Sequence, residues 1–152
     1  LIKFYAWTGC RQIEAIEMIW DDVDFANDVL YLGNANSMTK LRREFPFTDK
    51  LKALITELTL DRGESDKVFW RYANTRSLSG RKLQKIRDRV DELPNNLTLH
   101  TLRHAFASHL IMKGVDMSTV ASLLGHTTTQ ITELYSHLQP DHKKAAVDLL
   151  PY

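Results

Sequence analysis

The sequence predicts an α+β fold that is mostly α-helical, with helices packed around a small three-stranded antiparallel sheet. Two observations lead there. Apolar side chains recur at helical spacing along much of the 152 residues, clearest at Leu51, Leu54, Ile55 and Leu58 and again at Leu102, Phe106 and Leu110. Three short stretches have strand composition: "VLYLG" (29–33), "REFPFTD" (43–49) and "KVFW" (67–70), the first two flanking a loop rich in Asn and Ser. A chain of this length can build one domain with a substantial core.

Residues 1–7 read as the end of a helix stopped by Thr8 and Gly9. The chain opens inside an apolar run without an initiator methionine, which reads as a fragment of something longer, cut partway through its first helix. In "RQIEAIEMI", Ile13, Ile16 and Ile19 predict a second helix over 11–19, with Arg11 in its first turn. "DKLKALITELTLDR" predicts an amphipathic helix, and 76–92 a long basic one. After "LPNN" the pattern is helical almost throughout. Thr98 caps one helix that Gly114 ends, Asp116 or Ser118 starts a short one ended by Gly125, and two more cover 127–138 and 140–149. No internal repeat is present.

A hydrophobic content of 43% and a charged content of 26% are ordinary for a soluble globular chain. No apolar run approaches the roughly 20 residues that span a bilayer. Cys10, the single cysteine, has no partner for an internal disulfide, so a reducing, cytoplasmic setting is expected. The net charge of +1 speaks little for a polyanionic partner. Its distribution says more: residues 1–36 hold two basic and six acidic side chains, whereas 71–113 hold nine basic ones, Lys85 among them, against three acidic. That basic half can face phosphate, or be a solvated helix surface.

One helix makes two demands. In "HTLRHAFASHL" (100–110), Leu102, Phe106 and Leu110 form an apolar stripe, while His100, Arg103, His104 and Ala107 share the neighbouring face. The i, i+4 pair His100 and His104 has the spacing of zinc-binding helices. Against a metal stand Arg103, a permanent cation on that face, and the missing glutamate of the zinc-hydrolase motif. His104 and His109 read as histidines that serve the fold.

Four segments in order, "TGCRQIE" (8–14), "HTLRH" (100–104), "LLGH" (123–126) and "ITELYSHL" (131–138), resemble the signature boxes of the tyrosine recombinase and phage integrase family. The spacings agree: three residues from His100 to Arg103, twenty-three from Arg103 to His126 and nine from His126 to Tyr135. The resemblance covers nearly the whole chain. It implies that 1–152 are the catalytic domain of a bacterial, phage or mobile-element recombinase, without the N-terminal core-binding domain. The implied reaction is site-specific DNA recombination or integration, by metal-independent strand cleavage and rejoining through a covalent 3′-phosphotyrosine intermediate, with no cofactor.

The resemblance also implies roles. Tyr135 matches the nucleophile; deprotonating a phenol of pKa about 10 at pH 7 costs about 4 kcal/mol, so a base or cations must lower it. Arg11 and Arg103 match two clamp arginines, whose planar forks can hold the nonbridging oxygens of a phosphorane. His100 matches a proton acceptor, and His126 a hydrogen-bond donor to phosphate. Glu14, on the face of Arg11, matches an acidic residue expected to orient that helix or Arg11. Lys40 matches the general acid for the leaving 5′-oxygen, although it stands six residues before Pro46, closer than the family pattern usually has. Arg42, Arg43 and Lys85 are candidate contacts to the DNA backbone, with exposed strand charge as the bland alternative for the two arginines. The partner implied is double-stranded DNA, bound by a homo-oligomer, a tetramer, joined through the C-terminal helix. Ala145, Ala146, Leu149 and Leu150 are that helix's anchors, unless it packs on its own domain. The implied localisation is the bacterial cytoplasm, at the nucleoid when bound. A type IB topoisomerase and an inactive DNA-binding relative are the rival readings.

Overall fold

The computed structural model describes residues 1–33, 42–72, 97–126, 134–138 and 148. The predicted helix 76–92, residues 127–133 of the next predicted helix and nearly all of 140–149 lie outside them, as do Lys40 and Lys85.

Helix α1 (Ile2–Thr8) ends as its sequence dictates. Gly9 takes the left-handed conformation (φ 59°) and returns its N–H to the Tyr5 carbonyl, while the Thr8 hydroxyl donates to the Phe4 carbonyl at 2.7 Å. Helix α2 (Gln12–Glu17) follows at once. The side chain of Glu14 accepts the N–H of Arg11, its N-cap, at 2.7 Å. Strands β1 (Val23–Asp24), β2 (Val29–Leu32) and β3 (Arg43–Pro46) form an antiparallel sheet in the order β1-β2-β3, with Leu30 opposite Phe45 and Leu32 opposite Arg43. Three strands are thus found, but not the three expected. "KVFW" makes an isolated bridge between Lys67 and Ile19, and Trp70–Tyr72 turn into a 3-10 helix. The reason is burial: Val68 and Phe69 are adjacent and both buried, which the two-residue alternation of a half-exposed strand does not allow.

Helix α3 (Asp49–Leu60) is capped by Thr48, whose hydroxyl accepts from the Leu51 N–H. Helix α4 (Leu99–Met112) opens on reciprocal Thr98 and Thr101 bonds, and α5 (Met117–Leu124) opens on Asp116 and closes on Gly125 (φ 67°). Residues Ser136–Leu138, expected to be α-helical, form a 3-10 turn.

Two apolar clusters hold these elements. Phe4, Tyr5, Leu30, Leu32, Leu51, Ile55 and Phe69 belong to the larger; Ala107, Ile111, Val120, Leu124 and Tyr135 form the smaller. Phe106 packs against both, so α4 is the element that joins them. No helix among the described residues is long and apolar enough to cross a membrane.

Candidate active site

The site is organised by the C-terminal end of α5. A helix leaves its last carbonyls without intrahelical partners and carries partial negative charge there. Three consecutive carbonyls at this end each accept from a different arginine. Leu123 takes Arg43 Nε at 2.7 Å, Leu124 takes Arg103 Nη2 at 2.8 Å, and Gly125 takes Arg11 Nη2 at 3.0 Å. The three guanidiniums come from β3, α4 and the start of α2, segments far apart in sequence.

Each arginine is also held on its other side. Arg103, 8% exposed, donates Nη1 to the Gly9 carbonyl at 2.6 Å, joining the α1–α2 turn to α5 across α4. Burial, together with the nearby charges of Arg11 and Arg43, lowers its pKa to about 10, so it stays cationic at neutral pH. Arg11, about half exposed, donates Nη1 to Glu14 Oε1 at 3.1 Å. Arg43 closes on the same carboxylate, Nη1 to Oε1 at 2.8 Å and Nη2 to Oε2 at 3.0 Å. Burial works against the charge of Glu14, but the bonds from Arg43 and Arg11 outweigh it and hold its pKa below the usual carboxylate range.

A cleft lined by Cys10, Arg11, Gln12, Leu99, His100 and Arg103 lies beside this network. It therefore brings together three expected site residues, two permanent cations and the exposed imidazole of His100. His126 directly follows Gly125, and its backbone N–H returns to the Ala121 carbonyl. Burial, and then Arg103, Arg11 and Arg43, push its imidazole down to about 4, so it is neutral at pH 7 and keeps one N–H to donate.

Tyr135 is buried, and its hydroxyl is hydrogen-bonded to His104 Nδ1. Burial raises its pKa, with Arg103 pulling the other way, so the phenol is protonated at neutral pH in this conformation. The His104 ring stands edge-on to His100, centroids 4.3 Å apart. Burial, His100 and Arg103 lower its pKa, which favours the neutral ring. His104 thus touches both His100, as the i, i+4 spacing implies, and Tyr135, which no local spacing indicates.

Two expectations need correcting, those for Arg43 and His109. Arg43 is no exposed strand charge: its side chain is 11% exposed, and all three of its nitrogens donate inside the protein, so its fork is not open to a DNA backbone. Arg42 remains 41% exposed but is ion-paired with the buried Asp22. His109 is exposed rather than in the core, on the last turn of α4. Among the described residues no three His, Cys, Asp or Glu side chains converge as a metal-ligand set.

The profile of the phage integrase family matches residues 1–142. A tyrosine recombinase XerD of Bifidobacterium longum is 32% identical over 154 residues, covering 93% of this chain and 49% of that protein. A tyrosine recombinase XerC of Oceanobacillus iheyensis is 30% identical over 158 residues, covering 96% and 50%. The chain thus spans about half the length of these relatives. Among solved structures, the catalytic domain of bacteriophage HP1 integrase superposes with a TM-score of 0.73 at 26% identity, over 99% of this chain and 80% of that one. The Tn1549 transposon integrase, at 18% identity, shares the fold with a TM-score of 0.77, over 97% and 56%. With residues of its first three signature boxes meeting at one helix end, this chain belongs to the phage integrase family, the tyrosine recombinases.

Proposed function

We propose that this chain is the catalytic domain of a site-specific recombinase that cleaves and rejoins DNA through a 3′-phosphotyrosine link. The observation that carries this reading is the cleft itself, where Arg11 and Arg103 are anchored on backbone carbonyls and Arg11, about half exposed, lines the opening together with His100. Anchored cations stabilise a phosphorane without reorganising as its charge develops, and one such donor is worth roughly 3 to 4 kcal/mol. The Xer relatives are named as recombinases, and a Tn1549 integrase neighbour was solved in complex with transposon right end DNA.

In this reaction the Tyr135 oxygen attacks the scissile phosphorus, the phenolic proton passes to an imidazole, and the bond to the 5′-oxygen breaks. His100 is the assigned acceptor. His126 donates to a nonbridging oxygen, Glu14 orients Arg11, and Lys40 protonates the leaving oxygen. Arg42 and Lys85 are the remaining candidates for DNA backbone contacts. Assembly into a homo-tetramer on DNA through residues 140–149 belongs to the same proposal, as does a bacterial cytoplasmic location.

A pool of nicked duplexes of randomised sequence tests it. Cleavage a few nucleotides to the 5′ side of the nick releases a short fragment carrying the free 5′-hydroxyl; its diffusion away traps the covalent complex, which is read on denaturing gels. The expected result is a protein–DNA adduct that forms equally in EDTA; relaxation of supercoiled plasmid without strand exchange would favour a topoisomerase instead. Loss of the adduct in EDTA would overturn the metal-independent mechanism.

A further inference from the structure

Glu14 is 4% exposed, and its carboxylate accepts four hydrogen bonds: two from Arg43, and two from Arg11, one of these from the backbone. A buried carboxylate keeps its charge only when it is paired and hydrogen-bonded. With Arg11 alone, Glu14 would draw that guanidinium fully onto itself. Arg43 prevents this by facing both carboxylate oxygens at once, while its Nε fixes the Leu123 carbonyl.

Resting on the recombinase reading above, we infer that Arg43 is a positioning residue for phosphate cleavage: by neutralising Glu14 it leaves the charge of Arg11 available to the substrate, without itself touching DNA. Steric fit supports this. A Cβ placed on Gly125 would stand 2.6 Å from Arg43 Nη1, so the glycine of the "LLGH" box makes room for the Arg43 guanidinium. The arginine thus ties β3 to the start of α2 and the end of α5 with one planar group, a task for which a lysine ammonium lacks the fork.

The split between rate and affinity tests the inference, using sequences captured from the randomised pool as defined nicked substrates. R43M should cleave about a hundredfold more slowly than wild type at saturating DNA, with DNA affinity and its salt slope unchanged. R43K should recover part of the rate, because it restores a cation beside Glu14. E14Q in the R43M background should also cleave faster than R43M, because it removes the charge that captures Arg11. A purely structural arginine would lower the unfolding temperature without such recovery of rate below it. If R43M does not fold, the E14Q/R43M protein decides: wild-type salt slope supports the inference. Wild-type cleavage by R43M overturns it, as does a salt slope reduced by about one in either variant, the mark of a lost phosphate contact. Absence of any wild-type adduct would instead fail the recombinase reading.

Discussion

At the scale of residues, the site is a set of hydrogen bonds whose loss has distinct signatures. Arg103→Met leaves the Gly9 and Leu124 carbonyls without their donor, and each unsatisfied buried group costs about 1 to 3 kcal/mol. The urea midpoint should fall accordingly, and adduct formation should drop by a factor of about a hundred or more; a stable Arg103→Met protein would contradict the bridging role. His104→Phe keeps a ring but removes the hydrogen-bond partner of the Tyr135 hydroxyl, so stability should fall by about 1 kcal/mol. Equal unfolding curves for the two proteins would show that the bond contributes nothing. The juxtaposition of these side chains was legible in the sequence wherever type and spacing carried it, as for Arg11, His100 and Arg103, which line one cleft. It was not legible for Arg43, because an arginine beginning a strand looks alike whether its fork meets solvent or a buried glutamate 29 residues away. His104 was hidden for a related reason: its partner, Tyr135, lies 31 residues further on.

At the scale of elements, the C-terminal end of α5 is the scaffold, and its glycine is required twice. Gly125 has a φ of 67°, and the space of its missing Cβ is occupied by Arg43. Gly125→Ala should therefore cost more than the roughly 1 to 2 kcal/mol of a left-handed residue alone, and should slow cleavage through Arg11 and Arg43 as well as lower stability. Chemical unfolding beside single-turnover cleavage checks this; a destabilised variant with wild-type cleavage would separate the scaffold from the site. Gly9 is its counterpart at the end of α1, where a Cβ would meet the Phe106 ring at 2.6 Å. Both turns were readable from the sequence, because glycine after an apolar period marks a helix end. The strand at 67–70 was misread because an apolar run has the same composition in a strand and in a buried turn. Short runs leave that choice to tertiary packing.

At the scale of the whole molecule, three arginines crowd the helix end that His126 follows, and that crowding sets the acid response. The native pKa of His126 lies near 4, below the roughly 6.5 of an unfolded histidine. Over that interval the unfolded chain binds more protons, so stability is lost as pH falls from about 6.5 towards 4. Glu14 acts later: its pKa is lowered too, so its contribution is present above the unfolded carboxylate value and lost only below it. Denaturant midpoints taken between pH 7.5 and 5 should therefore fall before carboxylates titrate, and His126→Gln should flatten that fall; an unchanged slope would show that His126 is not held neutral. The mostly helical plan with a small sheet was legible from periodicity, and the meeting of Arg11, His100 and Arg103 in one cleft from the ordered boxes that hold them. The common anchor of three arginines on one helix end was not, because it depends on backbone carbonyls that every sequence supplies. The central claim is that Tyr135 becomes covalently joined to DNA. Its most direct measurement is mass spectrometry of the peptide carrying the nucleotide adduct after trapping on nicked duplexes: wild type should carry the phosphodiester on Tyr135 and Tyr135→Phe should form none, whereas an adduct persisting in Tyr135→Phe would contradict the claim.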